Sequence, residues 1–264
     1  MTGKEYTIYK HQGDRIIEVK AQIPALGPKD ILIRITHSGV CNADAAFAKR
    51  GACIALGHEG VGIVEAVGSD VTQFQVGERA GGGGGFIEIP AVNVATSCLV
   101  VTFYVLTGEH AAPLQCAGAT TFKALKATIK PGNRVGIVGI GGLGHLAIQF
   151  ATYIGATVVA LSTSQDKKME ALELGAKEFV NLNELDVKAP LDVIVLTSSK
   201  YPDFGEYVLC YLTNESSDSS KRRYCGTADV AVRTYDPSYV ASRAEHDEML
   251  EFAARHGIRP TVQL

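Results

Sequence analysis

The sequence predicts an α/β protein in two parts: a β-rich first part, and a second part built on a doubly wound parallel sheet. Three observations lead there. From about Cys116 onward, apolar segments alternate between strand-like and helix-like patterns, the rhythm of repeated β-α-β units. A glycine-rich run at Gly139–Gly144 falls where one of those strands would pass into a helix. Before Cys116 the β-like segments are short, bounded by glycine, and carry no long helical period.

In chain order, Ile31–Thr36 and Val61–Val67 read as strands. Five glycines at Gly81–Gly85 cannot hold regular structure and are expected to loop. Phe86–Pro90 then reads as another strand, closed by proline. Thr120–Lys130 is helix-like and ends at Pro131-Gly132. Arg134–Val138 is a strand, and Leu143–Ile154 a helix closed by Gly155. Thr157–Leu161 is a strand, Gln165–Leu174 a helix stopped by Gly175, and Glu178–Val180 a short strand. Asp192–Leu196 is nearly all apolar, as a central parallel strand should be. Glu245–Arg255 is amphipathic and ends at Gly257, with a last strand expected at Ile258–Val262. Thr213–Tyr239 matches a fifth strand and its flanks poorly. The expected domains are residues 1–115 and 116–264.

The chain of 264 residues suits one large domain or two of ordinary size, and 46% apolar residues suffice for a core. A formal net charge of −3 gives no electrostatic footprint for nucleic acid. The basic cluster Lys221-Arg222-Arg223 reads as a solvated loop. The opening Met1–Tyr6 is polar, unlike a signal peptide, and the greasiest run, Cys98–Leu106, is about half the length that crosses a bilayer. Six cysteines (Cys41, Cys53, Cys98, Cys116, Cys210, Cys225) show no disulfide framework and read as reduced thiols or metal ligands. The expectation is a soluble cytoplasmic protein with no membrane or nucleic-acid partner.

The run Gly139-Ile140-Gly141-Gly142-Leu143-Gly144 has the spacing and context of a dinucleotide-binding turn. Gly139 permits the tight turn, Gly141 lets backbone approach a pyrophosphate, and Gly144 lets helix and strand pack closely. The helix N-terminus offers N–H groups to phosphate, so Gly139, Gly141, Gly142, Leu143 and Gly144 are candidate cofactor-binding residues. At the end of the second strand, NAD binding calls for an acidic residue. This chain has Ser162-Thr163-Ser164, with Lys167 and Lys168 a turn later and Asp166 expected to face solvent. Hydroxyls and ammonium groups suit a 2′-phosphate and point to NADP(H). The same residues also suit a polar turn with Ser164 as a helix N-cap.

Cys41, His58 and Cys116 are candidates for a catalytic zinc site with an open fourth position. Each alone reads equally as a small core residue or a polar turn residue. The segment Gly57-His58-Glu59-Gly60, with "APLQCAGATTFKALK", "GIVGIGGLGHLAIQFA", "VALSTS" and "EMLEFAARHGIRP", resembles the zinc-dependent medium-chain alcohol dehydrogenases. Within them it resembles the cinnamyl-alcohol-dehydrogenase-like, NADP-preferring branch, most closely from Ala112 to Lys200. The resemblance implies a GroES-like β-barrel catalytic domain followed by a Rossmann domain, with the active site in the cleft between. It implies zinc on Cys41, His58 and Cys116, with Glu59 as an alternative ligand and Asp44 orienting His58. Thr120 would lie near the nicotinamide. The implied reaction is hydride transfer between NADP(H) and a small or aromatic alcohol or aldehyde, in a possible homodimer joined through the Rossmann sheet edge.

The chain also departs from that pattern. The family carries a serine or threonine two residues after the first cysteine, and often a histidine further on, to pass the alcohol proton outward. Here those positions are Ala43 and Ala46. Some relatives without the relay reduce conjugated C=C or C=N bonds, so a relay-less reductase is a second reading and a non-catalytic dinucleotide-binding remnant a third. The Cys41-to-His58 span is a few residues short, and the four-cysteine lobe is absent, so one catalytic zinc and no structural zinc is expected. The family's closing segment is also missing. Losses in blocks between preserved text fit skipped exons at least as well as gradual divergence.

Overall fold

The computed structural model describes residues 5–12, 15–22, 25–49, 56–82, 91–93, 98–100, 106–184, 191–198 and 241–263. The expected strand at Phe86–Pro90, the last three glycines of Gly81–Gly85, the stretch Thr213–Tyr239 and the basic Lys221–Arg223 lie outside them. The chain forms two compact units, Met1–Ala119 with Ala241–Leu264, and Thr120–Val240.

The first unit opens with a hairpin, β1 (Glu5–Gln12) and β2 (Arg15–Gln22), paired antiparallel from Glu5↔Gln22 to Gln12↔Arg15. A five-stranded antiparallel sheet follows, in the order β6-β3-β4-β5-β7. Its strands are β3 (Asp30–Ser38), β4 (Gly60–Val67), β5 (Arg79–Gly82), β6 (Ala91–Asn93) and β7 (Cys98–Val100). Ile31, Ile33 and Val64 alternate inward and pack with Phe74 and Ala80 into a buried core, as period-two patterning requires. Gly81 and Gly82 were expected to loop. They belong instead to β5, where Gly81 pairs with Val61 and Gly82 with Gly60, because cross-strand backbone hydrogen bonds hold glycine extended at both positions. A short helix, α1 (Asn42–Lys49), leaves the end of β3.

Next come α2 (Gly108–Pro113), a five-residue π turn (Leu114–Gly118) and α3 (Ala119–Thr128) in unbroken succession. The C-terminal α6 (Arg243–His256) packs on the π turn. That assigns residues 241–264 to the first unit, where the sequence pattern placed them with the second: an amphipathic stripe shows that a helix buries one face but not against what. A capping box starts this helix. Ser242 Oγ accepts Glu245 N–H at 3.3 Å, and Glu245 Oε2 accepts Ser242 N–H at 2.6 Å. Residues 258–263 form no strand, although Ile258 is fully buried.

Among the described residues, the second unit holds a four-stranded parallel sheet in the order β10-β9-β8-β11. The strands are β8 (Arg134–Val138), β9 (Thr157–Ser162), β10 (Glu178–Asn181) and β11 (Val193–Leu196). Numbered within the unit, the described strands run 3-2-1-4, the order in which a Rossmann sheet begins, with its switch point between the first and fourth strands. Helix α4 (Gly144–Ile154) is buried from Gly144 through Ala151, and its Phe150 ring meets Phe122 of α3 at 5.3 Å. Gly155 ends it in the left-handed conformation (φ +104°), accepted without strain because glycine has no Cβ. The expected helix at Gln165–Leu174 forms as a 3₁₀ turn (Gln165–Lys167) running into α5 (Lys168–Glu173). No helix among the described residues is long and apolar enough to cross a membrane.

Candidate metal centre and dinucleotide loop

The β3–β4 register brings together residues that the sequence separates. Ser38 pairs with Gly60, and beyond that pair Gly39 N–H donates to Glu59 O at 3.3 Å. The segment leaving β3 and the segment entering β4 therefore share one end of the sheet. Cys41 lies on the first, His58 and Glu59 on the second. Gly39 is required here by space. A Cβ built on it would lie 1.7 Å from Glu59 Oε2, so the bare backbone makes room for that carboxylate.

Cys116 joins them from the π turn. Its Sγ lies 3.9 Å from Cys41 Sγ. The donor atoms of Cys41, His58, Glu59 and Cys116 all fall within 4.8 Å of one another. Asp44, in the first turn of α1 and buried, accepts Gly57 N–H at 2.8 Å and His58 Nδ1–H at 3.2 Å through the same oxygen. Nε2 of His58 is then the ring nitrogen on the Glu59 side, 3.9 Å from Glu59 Oε1.

Electrostatics follow from that crowding. The Cys41 thiol is held well below its ordinary range, first by its hydrogen bond with Cys116 and next by His58. Cys116, the partner that keeps its proton, is pushed up by the same contact and by burial. His58 rises to about 9, chiefly through its hydrogen bond with the Cys41 sulfur and further through Asp44. Burial, reinforced by the Cys41 charge, raises Glu59 to about 7.

This donor set fits zinc. Two thiolates, an imidazole and a carboxylate are zinc's ordinary ligands, and two sulfurs about 2.3 Å from a tetrahedral centre would be about 3.8 Å apart, close to the 3.9 Å here. The carboxylate on Nδ1 fixes the ring as second-layer partners of metal-binding histidines do. Among the described residues this is the one group of three or more such side chains.

In the second unit, the glycine run follows β8 and opens α4. Gly139 has φ +89°, and a Cβ on Gly144 would lie 1.8 Å from Gly139 O, so the last glycine is needed for strand and helix to approach. A Cβ on Gly141 or Gly142 would meet no described atom within 4 Å, leaving their backbone open to a ligand, and Leu143 beside them is exposed. The sequence reading overlooked Thr197, which follows β11. Its hydroxyl donates toward Val138 O at 2.9 Å and Gly139 O at 2.8 Å, bracing the turn at the switch point.

At the end of β9, Thr163, Ser164, Asp166 and Lys168 are exposed. Ser162 is buried and its Oγ accepts Ser164 N–H at 3.1 Å. Ser164 takes the N-cap position of the 3₁₀ turn with extended backbone, as that alternative expects, but its side chain makes no capping hydrogen bond. Lys167 Nζ donates to Glu170 at 2.6 Å. Asn183, another residue the sequence did not single out, donates to Thr163 O at 2.9 Å and steadies this corner. Thr120 lies in the first turn of α3.

A β-rich unit with a thiolate–imidazole–carboxylate cluster, and a Rossmann unit with a glycine turn at its switch point, define a class of two-domain dehydrogenases. Residues 27–99 match the alcohol dehydrogenase GroES-like domain family, and residues 142–195 the zinc-binding dehydrogenase family. The chain is 35% identical to a probable formaldehyde dehydrogenase, AdhA, of Bacillus subtilis (strain 168), over 90% of this chain and 84% of that one. It is 29% identical to the NADP-dependent alcohol dehydrogenase C of Mycobacterium bovis, over 90% and 84%. A solved cinnamyl alcohol dehydrogenase from Sorghum bicolor superposes with a TM-score of 0.80 at 26% identity, covering 98% of this chain and 90% of that one. The chain belongs to the zinc-type medium-chain alcohol dehydrogenases, in their cinnamyl-alcohol-dehydrogenase-like group.

Proposed function

We propose that the chain is a zinc-dependent oxidoreductase that transfers a hydride between NADP(H) and a small or aromatic alcohol or aldehyde. The observation that carries this reading is the convergence of Cys41, His58, Glu59 and Cys116, with Asp44 fixing the far edge of the imidazole. Its support in the comparisons is the relatives named for dehydrogenation of alcohols and formaldehyde, one of them NADP-dependent.

Bound at these residues, the metal supplies Lewis acidity to the substrate oxygen, and the nicotinamide supplies or accepts the hydride. The chain's part is to hold and orient. Cys41, His58 and Cys116 would hold the metal. Glu59 would be an alternative ligand to the same metal. Asp44 keeps the His58 proton on Nδ1, so Nε2 offers its lone pair. Gly139, Gly141, Gly142, Leu143 and Gly144 would seat the pyrophosphate, and the exposed Thr163, Ser164 and Lys168 would meet the adenosine 2′-phosphate, with Ser162 beneath them steadying Ser164 N–H.

Ala43 and Ala46, both half-buried on α1, can carry no proton. This favours a second reading: NADPH-driven reduction of an activated C=C or C=N bond, which needs no alcohol relay. The test is metal analysis of wild-type protein and a Cys41→Ser, Cys116→Ser double variant, with NADPH oxidation screened against aldehydes, enones and iminium ions. About one zinc per chain, lost in the double variant, with aldehyde-dependent oxidation is expected. Turnover confined to enones or iminium ions would favour the second reading. Zinc retained by the double variant, or cofactor binding without turnover, would overturn both.

A further inference from the structure

The π turn that carries Cys116 is held from outside by one side chain of the C-terminal helix. In a regular α-helix the carbonyl of Gln115 would accept the N–H of Ala119. Here Ala119 N–H turns to Leu114 O and Cys116 O, which removes the ordinary helical partner of Gln115 O. His246 of α6, buried, places its Nε2 2.8 Å from that carbonyl oxygen. A carbonyl only accepts, so Nε2 carries a proton and donates it to Gln115 O. Nδ1 lies farther from a carbonyl, 3.3 Å from Ser242 O one turn back on α6, so the shorter bond is the one to the π turn.

One turn further along α6, fully buried Met249 reaches the other end of the same π turn: a Cβ on Gly118 would lie 3.1 Å from Met249 Sδ. Two side chains of one helix thus clasp the five residues that present Cys116. The peptide joining Gln115 to Cys116 is planar and stiff, so fixing Gln115 O fixes the Cys116 backbone one bond away. Single-turn π insertions concentrate at functional sites because they re-aim side chains within a helix; such a turn needs a partner for what it leaves unpaired.

We infer that His246 is a positioning residue for the metal centre, holding the π turn through Gln115 O so that the Cys116 sulfur faces Cys41 and His58. The inference rests on the proposed reading of Cys116 as a zinc ligand. Outer partners of metal ligands typically contribute 10–100-fold to metal affinity, and His246 acts on the ligand's backbone as they act on its side chain.

The experiment compares wild type with His246→Leu, His246→Gln, His246→Asn and Cys116→Ser. Zinc affinity is measured by competition with a chromophoric chelator, and the sulfur-to-metal charge-transfer absorption is recorded after loading with Co²⁺. His246→Leu is expected to weaken zinc binding about tenfold or more and to alter the cobalt band. His246→Gln, which keeps an N–H with reach, recovers most of both, whereas the shorter His246→Asn does not. Wild-type affinity and spectrum in a folded His246→Leu protein, or in His246→Asn should the leucine variant not fold, would overturn the inference while Cys116→Ser still weakens both signals. Unchanged signals in Cys116→Ser would instead remove the ligand reading beneath it.

Discussion

Asp44 holds the Nδ1 edge of His58 at 3.2 Å, and the same carboxylate oxygen takes Gly57 N–H at 2.8 Å. One buried side chain thereby sets both the backbone path into His58 and the tautomer of its ring. Asp44→Asn keeps the shape but removes the charge that favours Nδ1–H. Its zinc affinity is expected to fall about tenfold or more, measured by chelator competition. Affinity equal to wild type would mean that the imidazole is oriented by something else.

NADPH is expected to bind at least about tenfold more tightly than NADH. Thr163, Ser164 and Lys168 stand exposed at the end of β9, where an acidic residue would repel a 2′-phosphate, and a hydrogen bond to a charged group contributes about 1.5–3 kcal/mol. Lys168→Ala should narrow the gap more than Lys167→Ala, because Lys167 is already engaged by Glu170. Calorimetric titration settles the point, and equal affinities for the two cofactors in the wild type would refute it.

Burial holds the His145 imidazole below its ordinary range, while its Nδ1–H donates to Gly141 O at 2.9 Å. The sign follows from linkage. The unfolded chain takes up this proton near about pH 6.5, whereas the folded chain resists it until lower pH. The contribution is thus complete above that value and is lost as pH falls toward the folded-state pKa. Urea midpoints measured from about pH 8 down to about pH 5.5 should fall less in His145→Asn, whose amide can still donate to Gly141 O. Parallel profiles for the two proteins would show that His145 titrates no differently in the fold.

Ala43 N–H points at Cys41 Sγ from 3.4 Å, so a side chain at this position stands beside the proposed zinc site. Oxidation of an alcohol must expel a proton there, and positioned proton transfer contributes about 10²–10⁴-fold. Ala43→Thr is expected to raise alcohol oxidation near neutral pH and to converge with wild type at high pH, where hydroxide takes the proton. The check is the pH–rate profile of both proteins with one alcohol and NADP. Superimposable profiles would show that Ala43 does not limit the reaction.

The second unit was largely legible in the amino-acid order. Arg134–Val138 was bounded as found, and the helix expected at Leu143–Ile154 begins only one residue later. The reason is that β-α-β units are specified locally, by apolar runs of set length and by glycines that stop helices. Even there, the 3₁₀ start of α5 and the inward turn of Ser162 escaped detection, since both depend on backbone hydrogen bonds rather than composition. The N-terminal hairpin and α1 were missed because Ile8 is the one buried residue of β1 and β2, so little alternation shows in their sequence, and α1 is only eight residues long.

By itself, then, the sequence determined the element types of the second unit, its glycine-rich turn and the residue types suited to a metal. These are properties of neighbours within a few positions. Tertiary structure decided which of those residues meet. Cys41 reaches Cys116 across 75 positions only because β3 and β4 end together and a π turn aims the second sulfur. Gly39 became necessary only once Glu59 lay across it, and His246 gained a role only when α6 closed on the π turn. Contacts of that range depend on strand register and on which faces pack, and no local pattern encodes either.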